Sequence, residues 1–239
     1  VDAVVWQGSG DAWPGVSWGT PVASRLGRLG WNITVVPWGD DGTEHYGRPD
    51  VLHVFGGGLE PVASGSSAMT GRLSAVAAAL TTAEADRCSV LGICLGAQMI
   101  AAVATGLLPR PARGGGEAGR TVLRPESPTA PEVVVATAHV AEVPDRFLAS
   151  AGVRHLWSNP VTTVQGFALG ARVVGVQFHP ELSAAEGRRA AAAFRRTHAA
   201  PPAWAPGHAV DPDRAMTVLL RETAAHRLGM AEDLLPAAG

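Results

Sequence analysis

The sequence contains no lysine; all nineteen of its basic residues are arginine. Without lysine there is no Schiff-base chemistry and no P-loop phosphate lysine, so the chain is not expected to activate a substrate with ATP by itself. Charge is scarce as well. The formal net charge is −2 and 17% of the 239 residues are charged, which gives no electrostatic reason to expect nucleic acid or an anionic membrane surface as a partner. No apolar run is long enough to span a bilayer, and Val1 to Trp6 reads as a strand rather than a charged leader. The expected location is the cytoplasm. There are two cysteines, Cys88 and Cys94. Their spacing matches no recognised metal pattern, and in a reducing compartment a structural disulfide is not expected. Cys88 reads as a small core residue. What is present, 46% hydrophobic residues in 239, suffices for one large α/β domain.

The chain is organised around Gly92-Ile93-Cys94-Leu95-Gly96-Ala97-Gln98. A β-like run, Cys88 to Leu91, precedes it and a helix-like run, Met99 to Ala104, follows. A residue on a tight strand-to-helix turn projects from the sheet edge at a helix N-terminus, where free N–H groups and the dipole favour an anion. The pattern is that of a nucleophile elbow with Cys in the place of Ser. The alternative is a buried structural cysteine.

A thiol nucleophile needs a base. Val173 to Phe178 reads as a buried strand ending in His179-Pro180-Glu181. Pro180 stops the ladder there. Two apart in an extended segment, His179 and Glu181 point the same way. Glu181 can then orient one imidazole nitrogen while the other faces the thiol, the base-and-orienter logic of a triad. Taken alone, His-Pro-Glu also fits a solvated turn. Gly-x-Cys-x-Gly-x-Gln and Gly-x-Gln-x-His-Pro-Glu together resemble the class I glutamine amidotransferases, in particular the glutaminase part of GMP synthases and its free-standing relatives. The resemblance covers residues 1–198.

Several helix and strand expectations come from pattern alone. Strands are expected at Val4–Gln7, Asn32–Pro37, Asp50–Phe55, Arg120–Arg124, Glu132–Ala138, Val161–Phe167 and Gly170–Phe178. Helices are expected over Pro21–Leu29 and Leu73–Leu80. A Ser183-to-Glu186 capping box opens another that reaches His198. Gly8–Trp18 and Ser64–Gly71 read as loops, and Gly106–Gly119 as an exposed connection. Glu117-Ala118-Gly119 stands where the resembled family has a Glu-x-Gly before a strand, which implies a structural role. The alternation argues for a three-layer α/β/α sandwich with a twisted, mostly parallel sheet, the flavodoxin-like class I glutaminase fold that the resemblance implies, with its site beyond the strand C-termini. Pro201 to Gly207 reads as a linker. Residues 199–239 form an appendage with a helix from Asp211 to Leu228, whose Met216, Leu219, Leu220 and Ala224 share a face. That helix either packs on its own domain or meets a partner.

The triple glycine Gly56-Gly57-Gly58 after the third strand admits a flexible turn, a phosphate cradle or an oxyanion hole. The phosphate reading lacks its lysine. An amide can approach a reacting carbonyl oxygen where no Cβ obstructs it, and the resemblance supplies such a donor here: Gly58, or Gly57 as fallback, paired with the amide of Leu95. It further implies Cys94 as nucleophile, His179 as base, Glu181 as orienter, and Gln98 as a substrate contact one turn beyond Cys94. Backbone groups around Ala138, His139 and Val140 would meet the α-amino and α-carboxylate ends of glutamine, although Ala-His-Val departs from the Ser-His-Gly or Trp-His of relatives. Ser158 and Asn159 fit either the pocket wall or a turn. The implied reaction is hydrolysis of glutamine through a thioester, with no metal or cofactor, and with the ammonia passed to a separate synthetase or ligase. The alternatives are a stand-alone γ-glutamyl hydrolase or peptidase with the same triad, and a regulatory relative with a lost site, against which the intact Cys94, His179 and Glu181 argue.

Overall fold

The protein is described by a computed structural model that covers residues 2–128, 130–198, 202–203 and 210–223. In chain order, β1 (Asp2–Trp6) leads to a hairpin of β2 (Asp11–Trp13) and β3 (Val16–Ser17). Then come α1 (Thr20–Arg28), β4 (Asn32–Val36), β5 (Val51–Phe55), α2 (Ser67–Glu84), β6 (Ser89–Ile93) and α3 (Leu95–Thr105). The second half contains β7 (Arg110–Pro111), β8 (Glu117–Pro125), β9 (Val133–His139), β10 (Ala141–Glu142), β11 (Val153–Ser158), β12 (Gly166–Leu169) and β13 (Val173–Val176). It closes with α4 (Ala184–Thr197), β14 (Pro202–Ala203) and α5 (Pro212–Glu222).

The main sheet has ten strands in the order β14-β8-β11-β12-β13-β6-β5-β1-β4, with β9 paired to β8. Its parallel half, β4-β1-β5-β6-β13, carries the apolar runs read from the sequence. β1, β5, β6 and β13 are buried on both faces, as parallel strands sandwiched by helices must be, while β4 at the edge is partly exposed. Along them successive residues alternate sides. Val5, Val54, Leu91 and Val174 pack with Val22 and Leu26 of α1, while Val4, Phe55, Val90 and Val173 pack with Met69, Val76 and Ala79 of α2 and Ile100 of α3. A mostly parallel sheet with helices on both faces is therefore the architecture of this chain. Met216, Leu219 and Leu220 of α5 are buried in the same core as Leu26, Leu91 and Trp157. Ala224, and the stretch on to Leu228 expected to continue this helix, lie outside the described residues.

Several boundaries differ from the sequence expectations. The expected exposed connection Gly106–Gly119 contains β7 and the start of β8, where Glu117 and Ala118 are buried because β8 pairs there with β9. No strand runs from Val161 to Phe167. Asn159 Oδ1 accepts from the N–H groups of Val161 (3.0 Å) and Thr162 (2.7 Å), a side-chain turn that competes with a ladder, so pairing stops at Ser158 and resumes at Gly166. Helix α2 begins at Ser67, inside the expected loop, because Ser66 Oγ caps it by accepting from Met69 N at 3.0 Å. The Gly8–Trp18 loop contains the β2–β3 hairpin.

A buried histidine of the sheet makes stability depend on pH. His53, in the middle of β5, is fully buried. The indole Nε1 of Trp6 donates to its Nδ1 at 3.3 Å, and its Nε2 lies 3.1 Å from the Arg48 carbonyl. An indole N–H can donate only and a carbonyl accept only, so both contacts are made by the neutral ring. Burial, together with the positive neighbours His45 and Arg48, pushes the pKa down from 6.5 to about 4 against the opposing Arg48 hydrogen bond. A depressed folded-state value gives stability that is present above pH 6.5 and is lost as pH falls toward 4, about 3 kcal/mol in all. Urea unfolding of wild type and His53→Gln between pH 7 and 4 checks this. The wild-type stability should fall more steeply than that of H53Q, and equal slopes would refute the assignment.

Candidate active site

The elbow is built by close approach. Strand β6 is buried along its length, and the turn to α3 brings helix and sheet backbones together. A Cβ on Gly96 would lie 2.0 Å from the carbonyl oxygen of Phe55 in β5, and one on Gly92 would lie 2.7 Å from the amide nitrogen of Ala97. Both motif positions are therefore closed to larger residues. Cys94, between them, has φ 52° and ψ −106°, a conformation that costs a non-glycine residue about 1–3 kcal/mol and that clusters at functional positions. Its N–H is pinned to the Val176 carbonyl at 2.7 Å, so β13 holds the elbow from the side that also carries His179. Cys88 is a different thiol. It is fully buried and donates to the Ala79 carbonyl at 3.4 Å. Burial pushes its pKa up to about 12 despite Arg172 nearby.

His179 and Glu181 are both buried, and His179 Nδ1 lies 2.8 Å from Glu181 Oε1. The His179 backbone is tied to β9 through the Ala136 carbonyl at 2.8 Å. Burial pushes the imidazole pKa down, but the Glu181 charge, the Cys94 sulfur and the Glu181 hydrogen bond together outweigh it, raising the value from 6.5 to about 10. His179 Nε2, the nitrogen that Glu181 leaves free, forms no hydrogen bond with any described residue. Catalytic hydrogen bonds that are unformed at rest commonly tighten when substrate binds. Arg25 supports Glu181 from behind. Its Nε donates to the Glu181 carbonyl (3.0 Å), Nη1 to Asp213 of α5 (2.9 Å) and Nη2 to Glu186 of α4 (3.5 Å).

Against Leu95 and His179 lies the loop after β5. Among the described residues, the N–H groups of Gly57, Gly58 and Leu95 have no hydrogen-bond partner. Ser9 Oγ holds the loop by accepting from the N–H groups of Leu59 (2.9 Å) and Glu60 (2.6 Å). A Cβ on Gly58 would lie 2.7 Å from Leu95 Cδ2 and 2.7 Å from the Ser9 nitrogen, and one on Gly57 would lie 2.8 Å from His179 Cε1. Gly58 is therefore a close neighbour of Leu95, and Gly57 of His179.

The residues expected to meet substrate divide into two groups. The Ala138 carbonyl lies 3.9 Å from Cys94 Sγ. His139 is turned to other partners, with Nδ1 3.2 Å from the Ala141 carbonyl and Nε2 3.1 Å from Glu117 Oε1. Val140 is half-buried beside them. Gln98 is buried, and its Nε2 donates to the Ala141 carbonyl (3.0 Å) and to Gln177 Oε1 (3.2 Å). Glu117 is the hub of a buried polar cluster. Besides His139, it accepts from Asn159 Nδ2 (3.0 Å), Gln165 Nε2 and Thr137 Oγ1 (3.4 Å). Asn159 thus anchors a turn and this cluster, while Ser158 bonds Glu126.

Three residues at the site carried no role in the sequence. Gln177 Nε2 donates to Cys94 Sγ at 3.6 Å; its place two before His179 in the motif was the available signal. Ser9 holds the donor loop, and Trp18 stacks on His179. Both come from a Gly- and Trp-rich loop whose spacing offers no signal. No group of three or more His, Cys, Asp or Glu that could hold a metal occurs among the described residues.

The profile of the family "Glutamine amidotransferase class-I" matches residues 15–195. No curated protein matches in sequence. Among solved structures, a candidate GMP synthase component from Thermoplasma acidophilum is 20% identical, with a TM-score of 0.62 over 95% of this chain and 96% of its own. A glutamine amidotransferase from Thermotoga maritima is 17% identical, with a TM-score of 0.63 over 97% and 99%. One from Methylobacillus flagellatus is also 17% identical, with a TM-score of 0.62 over 100% and 96%. At such identities the likeness establishes the fold.

Proposed function

The chain belongs to the class I glutamine amidotransferase family, and from that premise we propose that it hydrolyses the side-chain amide of glutamine at Cys94 and supplies the ammonia to a separate synthetase. The observation that carries the reading is the His179–Glu181 contact at 2.8 Å beside a cysteine held at positive φ on the elbow. Only the thiolate is an effective nucleophile, and the imidazolium of His179 balances its charge. The sulfur attacks the amide carbon, and the developing oxyanion takes hydrogen bonds from the Gly58 and Leu95 N–H groups. His179 Nε2 gives its proton to the departing nitrogen, so ammonia leaves and a γ-glutamyl thioester remains. Nε2 then takes a proton from water as the water attacks the thioester, releasing glutamate and restoring the sulfur. Glu181 keeps the ring oriented throughout.

The partner rests on coarser support. The Thermoplasma acidophilum neighbour is described as a candidate GMP synthase subunit. We read residues 1–198 as the glutaminase domain and the remainder as an appendage to it. No helix among the described residues is long and apolar enough to cross a membrane. If the chain serves a synthetase in this way, its isolated glutaminase activity is low and rises when the partner is added, because uncoupled hydrolysis wastes glutamine. The test measures glutamate release from glutamine and from γ-glutamyl peptides, with and without a candidate synthetase partner. An increase of about tenfold or more with glutamine alone is expected, within the usual range of coupling energies. Fast turnover of γ-glutamyl peptides, unchanged by any partner, would transfer the assignment to a γ-glutamyl hydrolase.

A further inference from the structure

We propose that Trp18 is a positioning residue for this reaction, its indole face fixing the plane of the His179 imidazole and favouring the ring's cationic form. The proposal rests on the reading of His179 as the base. Trp18 follows the β2–β3 hairpin and is 3% exposed. Its ring lies against the imidazole with centroids 4.6 Å apart and planes 24° apart. Glu181 grips one nitrogen at the edge of the imidazole. A single hydrogen bond leaves the ring free to tilt about that axis, and a flat aromatic surface on one face removes the tilt. Gly57 closes the gap between the two rings, since a Cβ there would lie 2.8 Å from His179 Cε1 and 3.2 Å from Trp18 Cε3. Trp18, Gly57 and His179 therefore form one packed stack leading into the donor loop.

Two further facts separate this from ordinary core packing. A buried indole N–H usually finds an acceptor, yet Trp18 Nε1 is buried without a hydrogen-bond partner among the described residues. The ring is placed to serve the histidine rather than its own donor. A Trp face is also the best aromatic partner for a cation. Its partner here cycles between imidazolium and imidazole during the proposed reaction. The charged groups acting on His179 are Glu181, from its own loop, and Cys94, from the elbow; Arg25 of α1 reaches the Glu181 carbonyl. Trp18 is a neutral contribution in the same direction as Glu181, and it can be removed without altering either charged group.

The experiment follows alkylation of Cys94 by iodoacetamide against pH, located by peptide mass, in wild type, Trp18→Leu and Trp18→Phe. The readout needs no glutamine. Wild type should show an upper inflection from the ionisation of His179, whose folded-state value is raised. W18L should move the upper one down by about 1 pH unit, the size of a desolvated cation–π contact. W18F, which keeps a smaller aromatic face, should move it by less. In parallel, kcat for glutamine should fall roughly tenfold in W18L with KM nearly unchanged, as for a group that acts on the base rather than on substrate. An upper inflection that stays put in W18L overturns the proposal and makes Trp18 a packing residue. Should W18L not fold, W18F decides, and no downward shift there overturns it equally. If the inflection moves but no variant, wild type included, hydrolyses glutamine, Trp18 keeps its role and the glutaminase reading falls.

Discussion

Cys94→Ala is expected to lower glutaminase turnover by about 10⁵-fold or more, the scale seen when a covalent nucleophile is removed, while thermal stability changes little. The side chain sits at the end of a turn whose backbone contacts, Cys94 N to Val176 and the close approach of Gly96 to Phe55, do not involve the sulfur. A chloroketone analogue of glutamine should label wild type at Cys94 and leave Cys88 untouched, since Cys88 is fully buried and its thiol is pushed up to about 12. Labelling confined to Cys88 would remove the elbow from the mechanism. His179→Ala should be as damaging as the cysteine change, because nucleophile and base act as one unit and their losses do not add. Glu181→Ala should cost less, since it orients and charges the ring without touching substrate. If Glu181→Ala proved as severe as the other two, its carboxylate would have to be reassigned to a reacting role.

The second large effect concerns the loop after β5. Gly58→Ala should reduce kcat by about 10²-fold, close to the ~3 kcal/mol that one oxyanion donor supplies. The added Cβ meets Leu95 Cδ2 and the Ser9 nitrogen at 2.7 Å each. Ser9 is the clamp of that loop and Leu95 carries the second donor, so relief of the overlap displaces at least one donor. Steady-state kinetics with glutamine separates the outcomes. A fall in kcat with KM held marks loss of a contact made in the transition state. Full activity would move the donor to Gly57 or take the loop out of the reaction.

The legible and illegible parts of this molecule divide along sequence distance. The elbow and the His-Pro-Glu strand end are local. Each places its side chains within a few residues, so Cys94 at a turn and the His179–Glu181 pair could be anticipated from spacing. The parallel strands announced themselves as short apolar runs because burial on both faces demands them. The end of the Ser158 pairing was harder to see. Val161 to Phe167 has strand-like composition, but the Asn159 side chain takes the backbone donors a ladder would have used. Glu117 read as structural because of the Glu-x-Gly pattern of the resembled family; nothing nearby announced that Asn159, Gln165 and His139 converge on it. Trp18 was the least accessible. Its partner His179 lies at the far end of the domain sequence, and one Trp among seven in a glycine-rich loop carries no pattern.

The absence of lysine acquires a meaning at Arg25. Its planar fork serves three acceptors in three directions at once: the Glu181 carbonyl, Asp213 and Glu186. A lysine would bring the same charge but a single nitrogen, and could not span that set. The guanidinium thereby ties the first helix, the loop of the orienting carboxylate and the last described helix into a single cooperative block. Local opening of α5 would reach Glu181 by releasing one arm of the fork, so α5 and the orientation of the imidazole share one mechanical fate.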